Sequence, residues 1–167
     1  SIDGVMQAPG GPTEDTSGGF AHGGWVFPYA DDDFGKIMVE IFSKADAFLL
    51  GLTTWEIFAG YWPKVTDPDD PVASKLNGLP KFVASQTRTA FDWRGSELVR
   101  DAAAEVPALK KRFAGELQVH GSGALAQTLI QSDLIDEYRL LVFAAPIGSG
   151  ERRCGRGPAP PARTRVR

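Results

Sequence analysis

Residues 116–130 read Glu-Leu-Gln-Val-His-Gly-Ser-Gly-Ala-Leu-Ala-Gln-Thr-Leu-Ile. A short strand pattern runs into Gly121-Ser122-Gly123, and a helix pattern follows at once. Such a junction aims several backbone N–H groups at one place. The helix dipole adds partial positive charge there, and the glycines let a phosphate come close. Gly121, Gly123 and Ala126 also satisfy the G-x-G-x-x-A dinucleotide spacing. The plainer alternative is a tight strand-to-helix turn that needs positive φ. A Rossmann-type NAD enzyme expects an acidic residue at the far end of the following strand. Here Asp136 and Glu137 stand at that strand's beginning, on the wrong edge, which disfavours the Rossmann version.

Two more junctions follow strand-like runs, where open α/β sheets place their ligands. Gly51-Leu52-Thr53-Thr54-Trp55-Glu56 offers hydroxyls and N–H groups at a helix start. Ser85-Gln86-Thr87-Arg88 offers hydroxyls, an amide and a guanidinium, a set suited to a second phosphate. Each alone reads as an ordinary cap or turn. Three of them together fit a dinucleotide with a pyrophosphate and a further ribose phosphate. Asp31, Asp32 and Asp33 open a helix, where carboxylates cap N–H groups and favour the dipole. With one cysteine, Cys154, and two distant histidines, His22 and His120, neither a metal site nor a Ser-His-Asp or Cys-His nucleophile suggests itself.

The elements that must position these residues alternate. Phe34, Ile37, Met38, Ile41, Phe42 and Ala45 recur at helical spacing from Asp31 onward. Residues 46–51 form a buried strand, and residues 53–62 a short helix opened by a Thr cap and stopped by Pro63. Residues 67–71 read as a loop, 81–85 and 97–100 as strands, and 101–113 as a helix split at Pro107. The strand at 116–120 and its helix precede a long strand over 136–144. Alternation of this kind predicts an α/β fold of three layers, with a mostly parallel central sheet and flanking helices. Residues 1–30 are rich in Gly and Pro, and predict the end of a strand followed by a long loop ordered by Trp25, Phe27 and Tyr29.

A chain of 167 residues with 43% hydrophobic and 23% charged residues has the make-up of a soluble domain. No apolar run approaches the roughly 18 residues of a membrane helix, and Ser1-Ile2-Asp3-Gly4 shows no signal-peptide pattern. The lone cysteine fits a reducing, cytoplasmic setting. Residues 151–167 hold six Arg and one Glu, so the body before them carries a net charge of −8. An acidic body argues against nucleic acid as a partner. The tail has one large apolar residue, Val166, and predicts irregular structure.

Together these segments resemble the dihydrofolate reductase superfamily, in the branch of the riboflavin-biosynthesis reductase domain (RibD C-terminal). The resemblance rests on SIDGVMQAPGG, DAFLLGLTTWEIFAGYWP, KFVASQTRT and, most specifically, LQVHGSGALAQTLIQSDLIDEYRLLVFAAPIGSG, and covers residues 1–150. It implies a reductase domain over that range, using NADPH to reduce a small heterocycle of pyrimidine or pterin type. By position, Gly51, Thr53 and Thr54 meet the cofactor phosphates. Ser85, Gln86 and Thr87 meet the 2′-phosphate, and Gly121, Ser122, Gly123, Ala124 and Leu125 wrap the pyrophosphate. Met6 and Gln7 lie near the nicotinamide, Phe58 and Trp62 wall the substrate, and Asp33 orients it or relays a proton. Relatives suggest a homodimer. Three departures stand out: Leu52 replaces the family's Arg, most of the first strand is absent before Ser1, and the tail does not match the family's final hairpin. Arg88 is a candidate to compensate for Leu52. A nucleotide-binding domain without catalysis, or an inactive fragment of such a reductase, is the alternative.

Overall fold

The computed structural model describes residues 1–150. The tail expected to be irregular, residues 151–167, lies outside the described residues. Two compact units are present: Asp33–Leu134, and Ser1–Asp32 together with the segment from Ile135.

In the first unit the apolar spacing from Phe34 onward gives helix α1, Asp32–Ser43. Phe42 is buried, and Phe34, Met38 and Ile41 are half-buried, while Ile37 faces solvent. Strand β1, Ala45–Gly51, is buried almost without interruption. That is the pattern of a parallel strand covered on both faces. Helix α2, Leu52–Tyr61, follows with no intervening loop. Helix α3, Pro71–Gly78, leads to strand β2, Lys81–Ala84, and then strand β3, Ser96–Val99. Helix α4, Ala102–Lys110, strand β4, Glu116–Val119, and helix α5, Gly123–Gln131, complete the unit.

The sheet order is β3-β2-β1-β4, and every pairing is parallel. Right-handed crossovers place α2 and α3 on one face, and the reversal from β3 to β4 places α4 on the other. Three layers of an α/β fold result, as the alternation implies. One face of the sheet packs Phe48, Leu50 and Val83 with Phe42, Trp55, Leu76 and Trp93. Trp55 is fully buried, and its indole N–H donates to Ser96 Oγ at 2.9 Å.

Three expectations need correction. The loop expected at 67–71 is present over 67–70 but ends one residue early, at a helix absent from the expected elements: Asp70 caps α3, accepting from the Val72 and Ala73 N–H groups, and Pro71 occupies the first helical position. That position needs no N–H, so proline suits it. Pro107 does not split its helix, since α4 runs through it. Its missing N–H leaves one carbonyl, four residues back, without an intrahelical partner. Residues 136–144 form no strand. Their apolar run, residues 140–144, suits a buried strand, but a strand also needs a ladder partner, and Leu140, Leu141 and Val142 remain exposed.

Lys81 is completely buried at the start of β2. Its Nζ donates to Leu76 O at 2.7 Å and Leu79 O at 2.8 Å, and lies 4.5 Å from the Trp93 ring centre. Desolvation lowers its pKa from 10.5 to about 8.

In the second unit Val5, Ala8 and Phe20 are buried against Trp25 and Ile147. The Trp25 indole donates to Gln7 O at 2.9 Å. Asp3 accepts from the Ser1 hydroxyl and from the Gly148 and Ile147 N–H groups, and these bonds hold its carboxyl well below the usual range. The Gly- and Pro-rich stretch is ordered by two short 3-10 turns, Ser17–Gly19 and Phe27–Tyr29, although the Phe27 ring is exposed.

Candidate functional site

The strand order reverses at one point. The chain steps from β1 to β2 to β3 in one direction, then returns to set β4 on the other side of β1. Open parallel sheets bind ligands at the carboxyl ends of the strands flanking such a reversal. Gly51 is in register with Ala84, and Leu49 with Val119. The three junctions singled out in the sequence therefore leave the sheet along the same edge.

The β4–α5 junction turns through two consecutive left-handed residues, Gly121 (φ 59°) and Ser122 (φ 59°, ψ 63°). The α5 ladder begins with the Ala126 N–H bonding to Ser122 O at 2.9 Å. The amides of Gly123, Ala124 and Leu125 therefore precede that ladder. The Leu125 side chain is buried and fixes the first turn of the helix. Ser122 stands at the cap position, but its side chain makes no capping bond. Its hydroxyl reaches back instead, accepting from the Gly51 N–H at 2.8 Å and donating to Thr54 Oγ1 at 2.8 Å.

The β1–α2 junction is also uncapped. Its cap residue is Gly51, not a Thr, because the helix begins at Leu52, one residue earlier than the spacing predicts. Thr53 is exposed and Thr54 half-buried. A Cβ added at Gly51 would sit 3.0 Å from Ser122 Oγ and 3.9 Å from Leu125 Cβ, which shows how closely the two junctions approach. Helices α3 and α4 contrast with these. Asp70 caps α3, and Asp101 caps α4 through the Ala104 N–H at 3.1 Å.

At the third junction Ser85 Oγ is buried in its own turn, accepting from Arg88 N at 2.9 Å and Thr87 N at 3.3 Å. Gln86 and Thr87 are exposed, and the Gln86 amide donates to Arg100 O. The Arg88 guanidinium pairs with Glu56 at 2.9 Å and lies 4.6 Å from the Trp55 ring centre. Leu52 packs against the apolar cluster on the α2 face of the sheet. The cation nearest in sequence to this corner is thus Arg88, held on α2 by a carboxylate and an indole. Neither Glu56 nor the Trp55 platform has a signature in the sequence, because both contacts join residues about thirty positions apart.

Phe58 and Trp62 meet edge to face, with ring centres 6.3 Å apart, and both pack on the same apolar cluster. Asp33 lies in the first turn of α1, exposed and paired with Lys36 at 2.8 Å. Met6 and Gln7 belong to the other unit, where the Gln7 amide donates to Ser17 O at 3.0 Å and Ser17 Oγ at 3.1 Å.

The residues present fit an extended phosphate-bearing ligand. The Ser122 side chain is turned away from the helix amides it would ordinarily cap, and the neighbouring helix start has no side chain to cap it. Two helix N-termini whose first-turn amides receive no side-chain cap then lie close together. A parallel sheet with this switch point is an α/β fold, consistent with the dihydrofolate-reductase-like type. The chain is matched over residues 1–166 by the model of the RibD C-terminal domain, and it belongs to that family. The family points to a reductase-like domain of riboflavin biosynthesis. The chain is also 27% identical over 123 residues to the uncharacterized protein YyaP of Bacillus subtilis (strain 168). That match covers 72% of this chain and 64% of the relative's length. Among the described residues, no helix is long and apolar enough to cross a membrane.

Proposed function

We propose that the protein is an NADPH-dependent reductase that transfers a hydride to a small heterocycle of the pyrimidine or pterin type. The observation that carries this reading is the pair of uncapped helix starts at the switch point, beside helices that cap themselves with Asp70 and Asp101. Family membership supports the reductase class.

When bound, the cofactor supplies the hydride. The chain's own residues do the positioning. The amides of Gly123, Ala124 and Leu125 would hold the pyrophosphate, and Thr53 and Thr54 would donate hydroxyl or amide hydrogens to it. Thr87, Gln86 and Arg88 would receive the ribose 2′-phosphate. Phe58 and Trp62 would offer an apolar wall to a flat ring. The proton that completes the reduction would come from water or from a carboxyl, for which Asp33 is the candidate on α1.

The test is titration with NADPH, followed by a screen of heterocycles for loss of reduced-nicotinamide absorbance. Saturable NADPH binding without turnover on any heterocycle would instead support a nucleotide-binding domain without catalysis. No heat on titration with NADPH or NADH would remove the whole reading.

Arg88→Ala gives a second, finer prediction. Removing the guanidinium should weaken NADPH binding by about tenfold while leaving NADH within about twofold, since one charge-assisted bond is at stake. The measurement is the ratio of the two dissociation constants. An unchanged ratio would show that Arg88 serves only its Glu56 pair and the Trp55 face.

A further inference from the structure

We infer that Ser122 is a positioning residue: its hydroxyl clasps the two junctions into one anion site and turns the Thr54 hydroxyl proton toward the ligand. This rests on the reading of the site as a pyrophosphate cradle. The geometry is a directional chain. The Gly51 N–H donates to Ser122 Oγ at 2.8 Å, and Ser122 Oγ donates to Thr54 Oγ1 at 2.8 Å. A hydroxyl has one proton to give. Once Ser122 gives its proton to Thr54, the Thr54 proton is left for another acceptor, which in this proposal is the bound phosphate. The other acceptor near Ser122, His120 O, is farther at 3.4 Å. The two bonds bridge 71 and 68 positions of sequence, so no local turn would keep these groups together.

The backbone supports the same role. Ser122 occupies the left-handed region, where a non-glycine residue is strained. A glycine there would relieve that strain but lose the hydroxyl. A serine in this position forgoes capping its own helix and spends its side chain on the neighbouring junction. Gly51 must lack a side chain for the clasp to close, because a Cβ there would meet Ser122 Oγ and Cβ at 3.0 and 3.1 Å. The Gly51 amide is thereby occupied, so this residue serves the site by its size and not as a phosphate donor.

The experiment compares Ser122→Gly, Thr54→Val and the double variant in the full chain. The readouts are NADPH affinity by calorimetry, kcat against KM, and hydrogen exchange at the Gly51 amide without ligand. Ser122→Gly keeps the favoured backbone, so the protein should fold. Each single variant should weaken NADPH binding about tenfold, and the double variant should be little worse than either, because linked groups do not add. The loss should appear in KM for NADPH, with kcat nearly unchanged. The Gly51 amide should exchange about tenfold faster in Ser122→Gly. Wild-type affinity in Ser122→Gly, additive losses in the double variant, or an unchanged Gly51 exchange rate would each overturn the clasp. If the unaltered chain binds no NADPH while its Gly51 amide exchange does respond to Ser122→Gly, the cradle reading fails and the clasp survives as a structural link.

Discussion

Gly121→Val is expected to weaken NADPH binding by roughly 100-fold or more. Two effects combine. The residue sits at φ 59°, where a β-branched side chain costs about 1–2 kcal/mol or more. If the turn relaxes to escape that strain, the amides of Gly123, Ala124 and Leu125 no longer point at one place. Each hydrogen bond to a charged acceptor contributes about 1.5–3 kcal/mol, and losing the alignment of two gives a change of this size. If the turn holds, the added methyl groups project at Thr54, whose Oγ1 lies 3.4 Å from the site of a Cβ. Gly121→Asn separates the two effects, since asparagine tolerates the left-handed region far better than valine. The Asn variant should fold with near-normal stability and lose an intermediate amount of affinity. Calorimetric titration with NADPH, beside thermal melting of both variants, makes the comparison. A Val variant that binds within about threefold of the unaltered chain would exclude Gly121 from the cradle.

The sequence exposes those features that depend on neighbours along the chain. The Gly-Ser-Gly turn is visible because a strand run and a helix period abut it, and β1 and β2 are visible as apolar runs closed by small or polar residues. Helix α3 is equally local: Asp70 followed by Pro71 is a cap and a first helical residue, although the same pair also suits a turn. The segment 136–144 shows the opposite limit. Its apolar run suits a strand, yet whether it becomes one depends on a partner that no local pattern specifies. The site divides in the same way. The uncapped amides follow from glycine placement, whereas the Ser122 bonds to Gly51 and Thr54, and the Arg88 pair with Glu56, join residues brought together only by the sheet order. Met6 and Gln7 have no chemical signature of their own beyond the family resemblance, and they lie in the other unit.

A large pH effect should come from the buried Lys81. Its pKa in the fold is lowered to about 8 from 10.5, because burial penalises the ammonium. Below pH 8 both folded and unfolded chains carry the proton, and the fold bears the full penalty. Between pH 8 and 10.5 the unfolded chain still binds the proton and the folded chain does not, so unfolding takes a proton up. Raising the pH makes that uptake harder, and stability therefore rises through this window. Above 10.5 both states are neutral and the gain is complete. Its full size is on the order of 3 kcal/mol. Deprotonation should not forfeit the local hydrogen bonds. A neutral amine keeps two N–H groups, one for each of the carbonyls of Leu76 and Leu79. Lys81→Met fills a similar volume without titrating. Subtracting its urea-unfolding free energies from those of the unaltered chain, at pH about 7.5 and about 10, removes the contribution of every other titrating group. The difference should move in favour of the unaltered chain by about 2–3 kcal/mol as the pH rises. A difference that stays flat would mean that the two carbonyls and the face of Trp93 hold Lys81 charged throughout, with their attraction outweighing its desolvation.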